Sequence, residues 1–479
     1  MDNLSSTVYS SFSWRFLQSI SRSLISFVIQ IVLARYLLPE DFGLIAIANV
    51  FITIANVFID TGLSQGIVQK KDITDNQINC IAVLNVVISI VLYLIIFIIA
   101  PLVARVFDNT LLVNILRILG IVIIVSGISS PIQAVLYKNF KYKKIFLFSL
   151  ISVIVQGFVG IVLVIMNAGI WALVYSNLLQ AVVYALLLVC FCRLKGKLQF
   201  SFNSIWSIIN FSYKLLLQSL LNTIYNNLQS LLMGKYYSKA SLGYMSKGQQ
   251  FPYLIMNNVD GALSNVLFSS FSYTQDDIKL TIKLLRQSMR MSLYVCVPLM
   301  VGLACVSDTL IPLLLTDKWM GAIPFVKIFC CICILWPMSA RVHVLNALGK
   351  SGITLKLNIV GKCIGVVCML IALPMGVFEL AFASFIGSII SLFIGVYAVS
   401  RNLSYSIKDQ LKDLLPSIGM SVIMGLVVNS LELLNLHGIL LLVLQVIVGI
   451  IVYIIESLVF MDDSFSYICS MIFKRKEEF

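Results

Sequence analysis

The sequence predicts an all-α polytopic membrane protein of fourteen transmembrane helices: two six-helix lobes in a parallel pseudo-repeat plus two extra helices. Three observations predict it: an apolar composition, apolar runs cut by short polar loops, and an internal repeat. Of 479 residues, 60% are hydrophobic and only 11% charged, with a mean hydropathy of +1.00. Soluble domains are about one quarter charged. A membrane crossing takes ~20 mostly apolar residues, so fourteen use about 280, close to the apolar share of this chain. These figures exclude a soluble enzyme, a disordered chain and a coiled coil. They also exclude an outer-membrane barrel, whose strands alternate apolar and polar residues.

The apolar runs place spans at 12–34, 43–63, 78–100, 112–135, 146–166, 170–191, 208–232, 247–268, 290–315, 322–345, 355–374, 379–400, 414–434 and 438–460. The connections at 167–169, 375–378 and 435–437 are short enough to make their neighbours antiparallel hairpins. No loop is long enough to fold as a domain. Residues 1–200 form an N-lobe of spans 1–6 and residues 201–405 a C-lobe of spans 7–12. Residues 406–479 hold spans 13–14 and a tail. The polar start, Met1 to Ser11, lacks the basic region of a cleavable signal peptide.

Orientation follows from Lys and Arg, which accumulate in cytoplasmic loops. With the N-terminus inside, cytoplasmic loops hold twenty-one of them, including Lys138, Lys141, Lys143, Lys144, Arg286 and Arg290. The outer loops hold six: Arg35, Arg105, Lys235, Lys239, Lys247 and Lys318. Both termini are therefore expected in the cytoplasm. Membrane orientation accounts for most of the net charge of +13, and no nucleic-acid partner is implied.

The repeat has an offset of 199 at its start and 200 thereafter. Phe12-Ser13-Trp14-Arg15 resembles Phe211-Ser212-Tyr213-Lys214, Arg35-Tyr36 meets Lys235-Tyr236, and Gly43 meets Gly243. Asp60, Leu63 and Ser64 meet Asp260, Leu263 and Ser264. Six spans separate the copies, so both point the same way, as in parallel-repeat transporters.

Intramembrane cations are costly and usually face a bundle interior or a wet cavity. In span 1, Arg15, Gln18, Arg22, Ser26 and Gln30 recur at spacings of three and four, which is one helix face. Span 7 repeats this with Asn210, Lys214, Gln218, Asn222, Asn226 and Gln229. Two symmetry-related basic stripes predict a central water-filled cleft. Two readings stand for Arg15 and Lys214: ligands of an anion, or partners of Asp60 and Asp260 in gate ion pairs at the inner ends of the lobes. Arg22 and Lys362 have no acidic neighbour in sequence at their depth, which predicts anion binding. Lys327, Arg341 and Arg117 lie nearer span ends, where long side chains snorkel. His343 and His437 read as structural.

No catalytic, metal or cofactor motif emerges. Gly349-Lys350-Ser351 lacks the first glycine of a phosphate-binding loop, since Val344 stands there. The Cys330, Cys331, Cys333 cluster lies in mid-span and reads as small apolar residues rather than a metal site.

Leu33-Ala34-Arg35-Tyr36-Leu37-Leu38-Pro39-Glu40-Asp41-Phe42-Gly43, followed by Asp60-Thr61-Gly62-Leu63-Ser64, resembles the signature of the polysaccharide transporter (oligosaccharide flippase) family. That family is part of the multidrug/oligosaccharidyl-lipid/polysaccharide exporter superfamily. Leu242-Gly243-Tyr244 with Lys247 and Gln249, Thr316-Asp317-Lys318-Trp319, and Leu411-Lys412-Asp413-Leu414-Leu415-Pro416 are similar to its lipopolysaccharide and capsule branch. Tyr244-Met245-Ser246-Lys247 departs from the family's more usual Tyr and Arg.

The resemblance implies a flippase rather than an enzyme, working in the bacterial inner membrane. Such a protein moves a polyprenyl-diphosphate-linked oligosaccharide to the outer leaflet by alternating access, for lipopolysaccharide, capsule or exopolysaccharide synthesis. Its expected partners are the lipid-linked oligosaccharide, membrane lipids, a coupling proton or sodium ion, and polysaccharide polymerase machinery. Two alternatives stand beside it. A multidrug or small-solute antiporter of the same superfamily would want deep acidic residues, and a membrane glycan polymerase or ligase would want a substantial outer loop.

Overall fold

The computed structural model describes residues 2–70, 72–192, 202–273, 277–403, 405–434, 436 and 438–460. It divides into two compact units, Met1–Gly243 and Tyr244–Phe479. The first contains α1 (Asp2–Tyr36), α2 (Pro39–Ile59), α3 (Gln65–Gln69), α4 (Asp75–Val106), α5 (Leu111–Lys138), α6 (Tyr142–Ile165), α7 (Trp171–Phe191), α8 (Phe202–Tyr236) and the start of α9 (Lys239–Tyr273). The second contains the rest of α9, then α10 (Ile278–Leu315), α11 (Ile323–Ile334), α12 (Ala340–Ala347), α13 (Ser351–Ala372), α14 (Val377–Leu403), α15 (Ile407–Ser430) and α16 (Ile439–Val459).

Local chemistry sets the helix ends. Pro39 opens α2 with its pre-set φ, and Asp41 Oδ2 accepts from the Leu38 amide at 3.0 Å. The Pro-Glu-Asp of the signature is thus a helix start with acidic residues at the positive end of the helix. Thr74 and Gln77 close a reciprocal capping box on α4. Asp277 and Ser406 cap α10 and α15 through the amides of Leu280 and Asp409. Between α6 and α7 the chain reverses through left-handed Asn167 and Gly169.

In the first unit, α4 packs on α5, α6 on α7, α5 on α7 and α1 on α6. In the second, α10 is the central helix, packed by α11, α15 and α16, and α13 pairs with α14. The outward faces are apolar and uncovered. Val87, Val91, Leu94, Ile98 and Leu102 line one exposed stripe of α4, which suits a surface solvated by lipid rather than water.

Twelve stretches among the described residues are long and apolar enough to cross a membrane, rather than the fourteen expected. The two expected spans outside this set, 208–232 and 247–268, lie in α8 and α9, which are 35-residue helices. The polar residues that make α8 and α9 interesting also lower their hydropathy. Two expectations need correction. The tenth span is not one helix: a 3-10 turn at Asp317–Ala322, α11, a second 3-10 turn at Trp336–Ser339 and α12 share it. Pro337, which cannot donate to the helical ladder, sits in the second turn. The second span ends its regular helix at Ile59 and passes into a π turn, Asp60–Ser64.

Gly43 and Gly243, matched in the repeat, also meet in space. A Cβ on Gly43 would fall on the Lys239 carbonyl, and a Cβ on Gly243 would fall on the Pro39 carbonyl. Pro39 and Lys239 are themselves 200 apart, so the contact is reciprocal. Only glycine permits helix backbones to approach this closely.

Candidate functional site

Within the first unit, a cavity of about 320 Å³ lies among α1, α2, α5, α6 and α7. α1 supplies Arg22, α2 supplies Asn49, and the π turn supplies Asp60. α5 adds Ser126, Ser129, Ser130 and Gln133, α6 adds Ser149 and Ser152, and α7 adds Asn177, Gln180 and Tyr184. Each sits on a helix whose opposite face is apolar, because residues three and four apart share a face.

Asp60 is held on one side of this cavity. Ser130 Oγ donates to Asp60 Oδ1 at 2.6 Å and lies 2.8 Å from Ser64 Oγ. Asn85, fully buried on α4, donates from Nδ2 to Ser64 Oγ at 3.1 Å. Ser64 Oγ also lies 3.3 Å from the Ile59 carbonyl at the start of the π turn. Single π turns of this kind occur frequently at functional sites. Across the cavity, Gln156 Nε2 of α6 donates to Asn177 Oδ1 at 2.7 Å and fixes that amide. The chamber carries a cation, an acid and many neutral hydrogen-bonding groups. It can solvate a charged polar guest inside helices that otherwise exclude one.

The residues singled out in the sequence fall as follows. Arg22 is exposed and lines the cavity, and Gln18, one turn earlier, is buried. Arg22 has no acidic neighbour in sequence at its depth, and Asp60 lines the same cavity. The π turn at the end of α2 carries this carboxyl to the chamber, and span depth did not show it. On α8, Lys214 and Gln218 are exposed and Asn222 is half-buried. The Lys214 ammonium stands 5.9 Å from the Tyr213 ring. Lys362 is half-buried on α13 in the second unit. The side chains of Arg15, Asp260 and His343, and the whole of His437, lie outside the described residues.

Among the cations expected to snorkel, Arg341 does not. It is 4% exposed and donates to the Met338 carbonyl and to Gln410 Oε1, each at 3.0 Å. Lys327 pairs with Asp308 at 2.6 Å, and the Arg117 guanidinium stacks 4.1 Å from the Phe97 ring.

Sequence reasoning missed a second polar centre. Asp413 of α15, with no exposed side-chain surface, accepts a fork from Arg286 at 2.8 and 3.0 Å. It also accepts from Arg290 Nε at 2.8 Å and from Tyr405 OH at 2.6 Å. Arg286 and Arg290 were counted as loop charges. Their spacing of four, on a helix that starts twelve residues earlier than expected, was the available signal.

Comparison with known proteins agrees with this architecture. A family model described as "Polysaccharide biosynthesis protein" matches residues 32–324, more than half of the chain. The chain is 24% identical over 343 residues to the lipopolysaccharide biosynthesis protein WzxC of Escherichia coli K12, covering 68% of this chain and 67% of that one. It is 24% identical over 411 residues to the teichuronic acid biosynthesis protein TuaB of Bacillus subtilis 168, covering 84% of each. Among solved structures, the lipid II flippase MurJ in an inward closed conformation superposes with a TM-score of 0.74 at 17% identity. That match covers 96% of this chain and 99% of MurJ, and at this identity it speaks for the fold. Apolar helices enclosing polar groups, a shared fold and a family match over most of the first unit lead to one conclusion: the chain belongs to the polysaccharide biosynthesis protein family.

Proposed function

We propose that this protein carries a polyprenyl-diphosphate-linked oligosaccharide from the cytoplasmic to the outer leaflet of a bacterial cytoplasmic membrane by alternating access, for lipopolysaccharide, capsule or exopolysaccharide synthesis. The observation that carries this reading is the polar cavity at Arg22 inside apolar helices. A diphosphate cannot cross hydrocarbon bare, and a guanidinium meets its oxygens through paired, charge-assisted hydrogen bonds. Lys214, Gln218 and Asn222 of α8 and Lys362 of α13 are further ligands in this reading. Arg15 and Lys214 either join them or pair with Asp60 and Asp260. The working division is a lobe over 1–200, a lobe over 201–405, and an appendix over 406–479 beside which the polyprenyl tail stays in lipid. No bond is made or broken, so no residue is assigned catalysis. A polysaccharide polymerase takes up the glycan after transfer.

Transfer is tested with the full chain in phospholipid vesicles loaded with lipid-linked oligosaccharide extracted from the source strain. A membrane-impermeant lectin then reads the glycans facing outward. Glycan from the inner leaflet is expected to become reachable, while a neutral polyprenol-linked glycan is left behind. Transfer no faster than in protein-free vesicles, or equal transfer of the neutral lipid, would refute the reading.

Both termini face the cytoplasm in this proposal, on the charge bias described above. Reporter fusions after Lys144 and Lys476 are expected to give cytoplasmic signals, and a periplasmic signal at either would reverse the orientation.

A further inference from the structure

The second unit contains an acid that the cavity at Arg22 does not use. The buried face of α16 is Leu441, Gln445, Gly449, Tyr453, Glu456 and Ser457, at helical spacing. The other face, with Ile447, Ile450, Ile451, Ile454, Ile455 and Leu458, is exposed and apolar. Glu456 is 9% exposed, and neither carboxyl oxygen has a hydrogen-bond partner among the described residues.

Polar neighbours nearby are already engaged with one another. Tyr294 OH of α10 lies 2.7 Å from Ser457 Oγ, Ser457 Oγ donates to the Tyr453 carbonyl at 2.7 Å, and Tyr453 OH donates to the Tyr294 carbonyl at 2.9 Å. Gly449 stands against Met424 and Val428 of α15. Continued along the antiparallel pair, this register brings the buried, uncharged Ser417 and Ser421 level with Glu456.

The charges on the helices packed against α16 are paired with one another or lie at the helix ends. On α10, Arg286 and Arg290 are held by Asp413 of α15, and Asp308 is paired with Lys327. Lys408, Asp409 and Lys412 lie in the first two turns of α15, and Glu432 lies in the turn that follows it. The remaining titratable groups are the exposed Lys279 and Lys283 in the first two turns of α10, Tyr294 and Tyr453 themselves, and the thiols Cys296 and Cys305. α16 carries no Lys or Arg.

A carboxylate taken from water without a cation or donor beside it costs far more than the neutral acid. Glu456 also lies three residues from the last residue of α16, at the end of the helix dipole that disfavours negative charge. A structural acid would use its oxygens, and this one does not.

We propose that Glu456 is a proton-binding site of the transport cycle. Its carboxyl is neutral while α16 packs on α10 and α15, and it gives its proton to water when α16 loosens and water reaches it. The proposal rests on the transporter reading above.

The first test is carbodiimide labelling of the full chain in phospholipid vesicles. Dicyclohexylcarbodiimide is apolar and attacks protonated carboxyls. Near neutral pH it is expected to mark Glu456, read by mass spectrometry, and to leave Asp308 unmarked. The Glu456→Gln protein is expected to show no adduct at that position. Labelling of Glu456 only at about pH 5 and below, as for an ordinary glutamate, overturns the proposal. Protection by sodium but not by choline overturns it in favour of a sodium site.

The second test is glycan export in cells at matched membrane abundance. Glu456→Gln is expected to lower export about tenfold and to abolish its dependence on external pH. Glu456→Asp, which keeps an acid, is expected to keep that dependence. Export by Glu456→Gln that matches the parent at every pH overturns the proposal. If the parent itself transfers no glycan, the transporter reading fails, while labelling still reports the acid by itself.

Discussion

If the proposed transport holds, Arg22→Ala is expected to abolish glycan export while the protein still inserts and accumulates. Arg22 sits on the cavity-facing stripe of α1, one turn beyond buried Gln18, and its side chain is exposed to the chamber. An exposed side chain contributes little to packing, so its removal leaves the bundle intact. A diphosphate in the chamber loses two charge-assisted hydrogen bonds, each worth about 1.5–3 kcal/mol, which lowers transport by about a hundredfold or more. Arg22→Lys retains part of the activity, because the charge survives without the planar fork. Asp60 lines the same chamber, so a competing role for Arg22 is to neutralise that acid. The Arg22→Ala, Asp60→Asn double variant separates the two. As a phosphate ligand, Arg22 leaves the double variant as inactive as the single one. Recovery of export in the double variant would make Arg22 a counter-ion instead. Surface glycan is measured beside membrane abundance in every strain, and normal export by Arg22→Ala at normal abundance would remove Arg22 from the substrate path.

Asp413→Asn is expected to cost the second unit about 3 kcal/mol, from the penalty of stranding paired charges. Asp413 has no exposed side-chain surface, and it collects Arg286, Arg290 and Tyr405 onto the junction of α10 with α15. The amide keeps the shape, removes the negative charge and offers one acceptor oxygen where there were two. The value sits at the lower end of the range for buried pairs because each guanidinium is 34% exposed and keeps some contact with water or headgroups. Thermal unfolding of the purified protein in detergent reads the loss, with the midpoint falling by several degrees. Tyr405→Phe, which removes one hydrogen bond, is expected to cost about 1 kcal/mol. If both variants melt with the parent, the cluster is a surface ornament and something else joins α10 to α15.

Hydropathy is a local property, and what depends on it was legible without coordinates. The apolar runs located the helices to within several residues at most ends, and the spacing of Arg22 with Gln18 put both on one face of α1. The offset of 200 matched Gly43 to Gly243 before their reciprocal contact was seen. Partner choice is not local. Ser130 reaches Asp60 from 70 residues away, and Arg286 reaches Asp413 from 127. Sequence depth alone therefore did not show that Asp60 shares a cavity with Arg22, and it counted Arg286 and Arg290 as loop charges. A helix also continues past its apolar run when capping and packing favour it, as α10 does from Asp277, and it breaks where backbone geometry requires, as at Asp60–Ser64 and Pro337. Nothing in the sequence singles out Glu456. Only the packing of α16 on α10 and α15 turns its oxygens inward with nothing to bind, because burial is a sum over several helices and no single helix carries it.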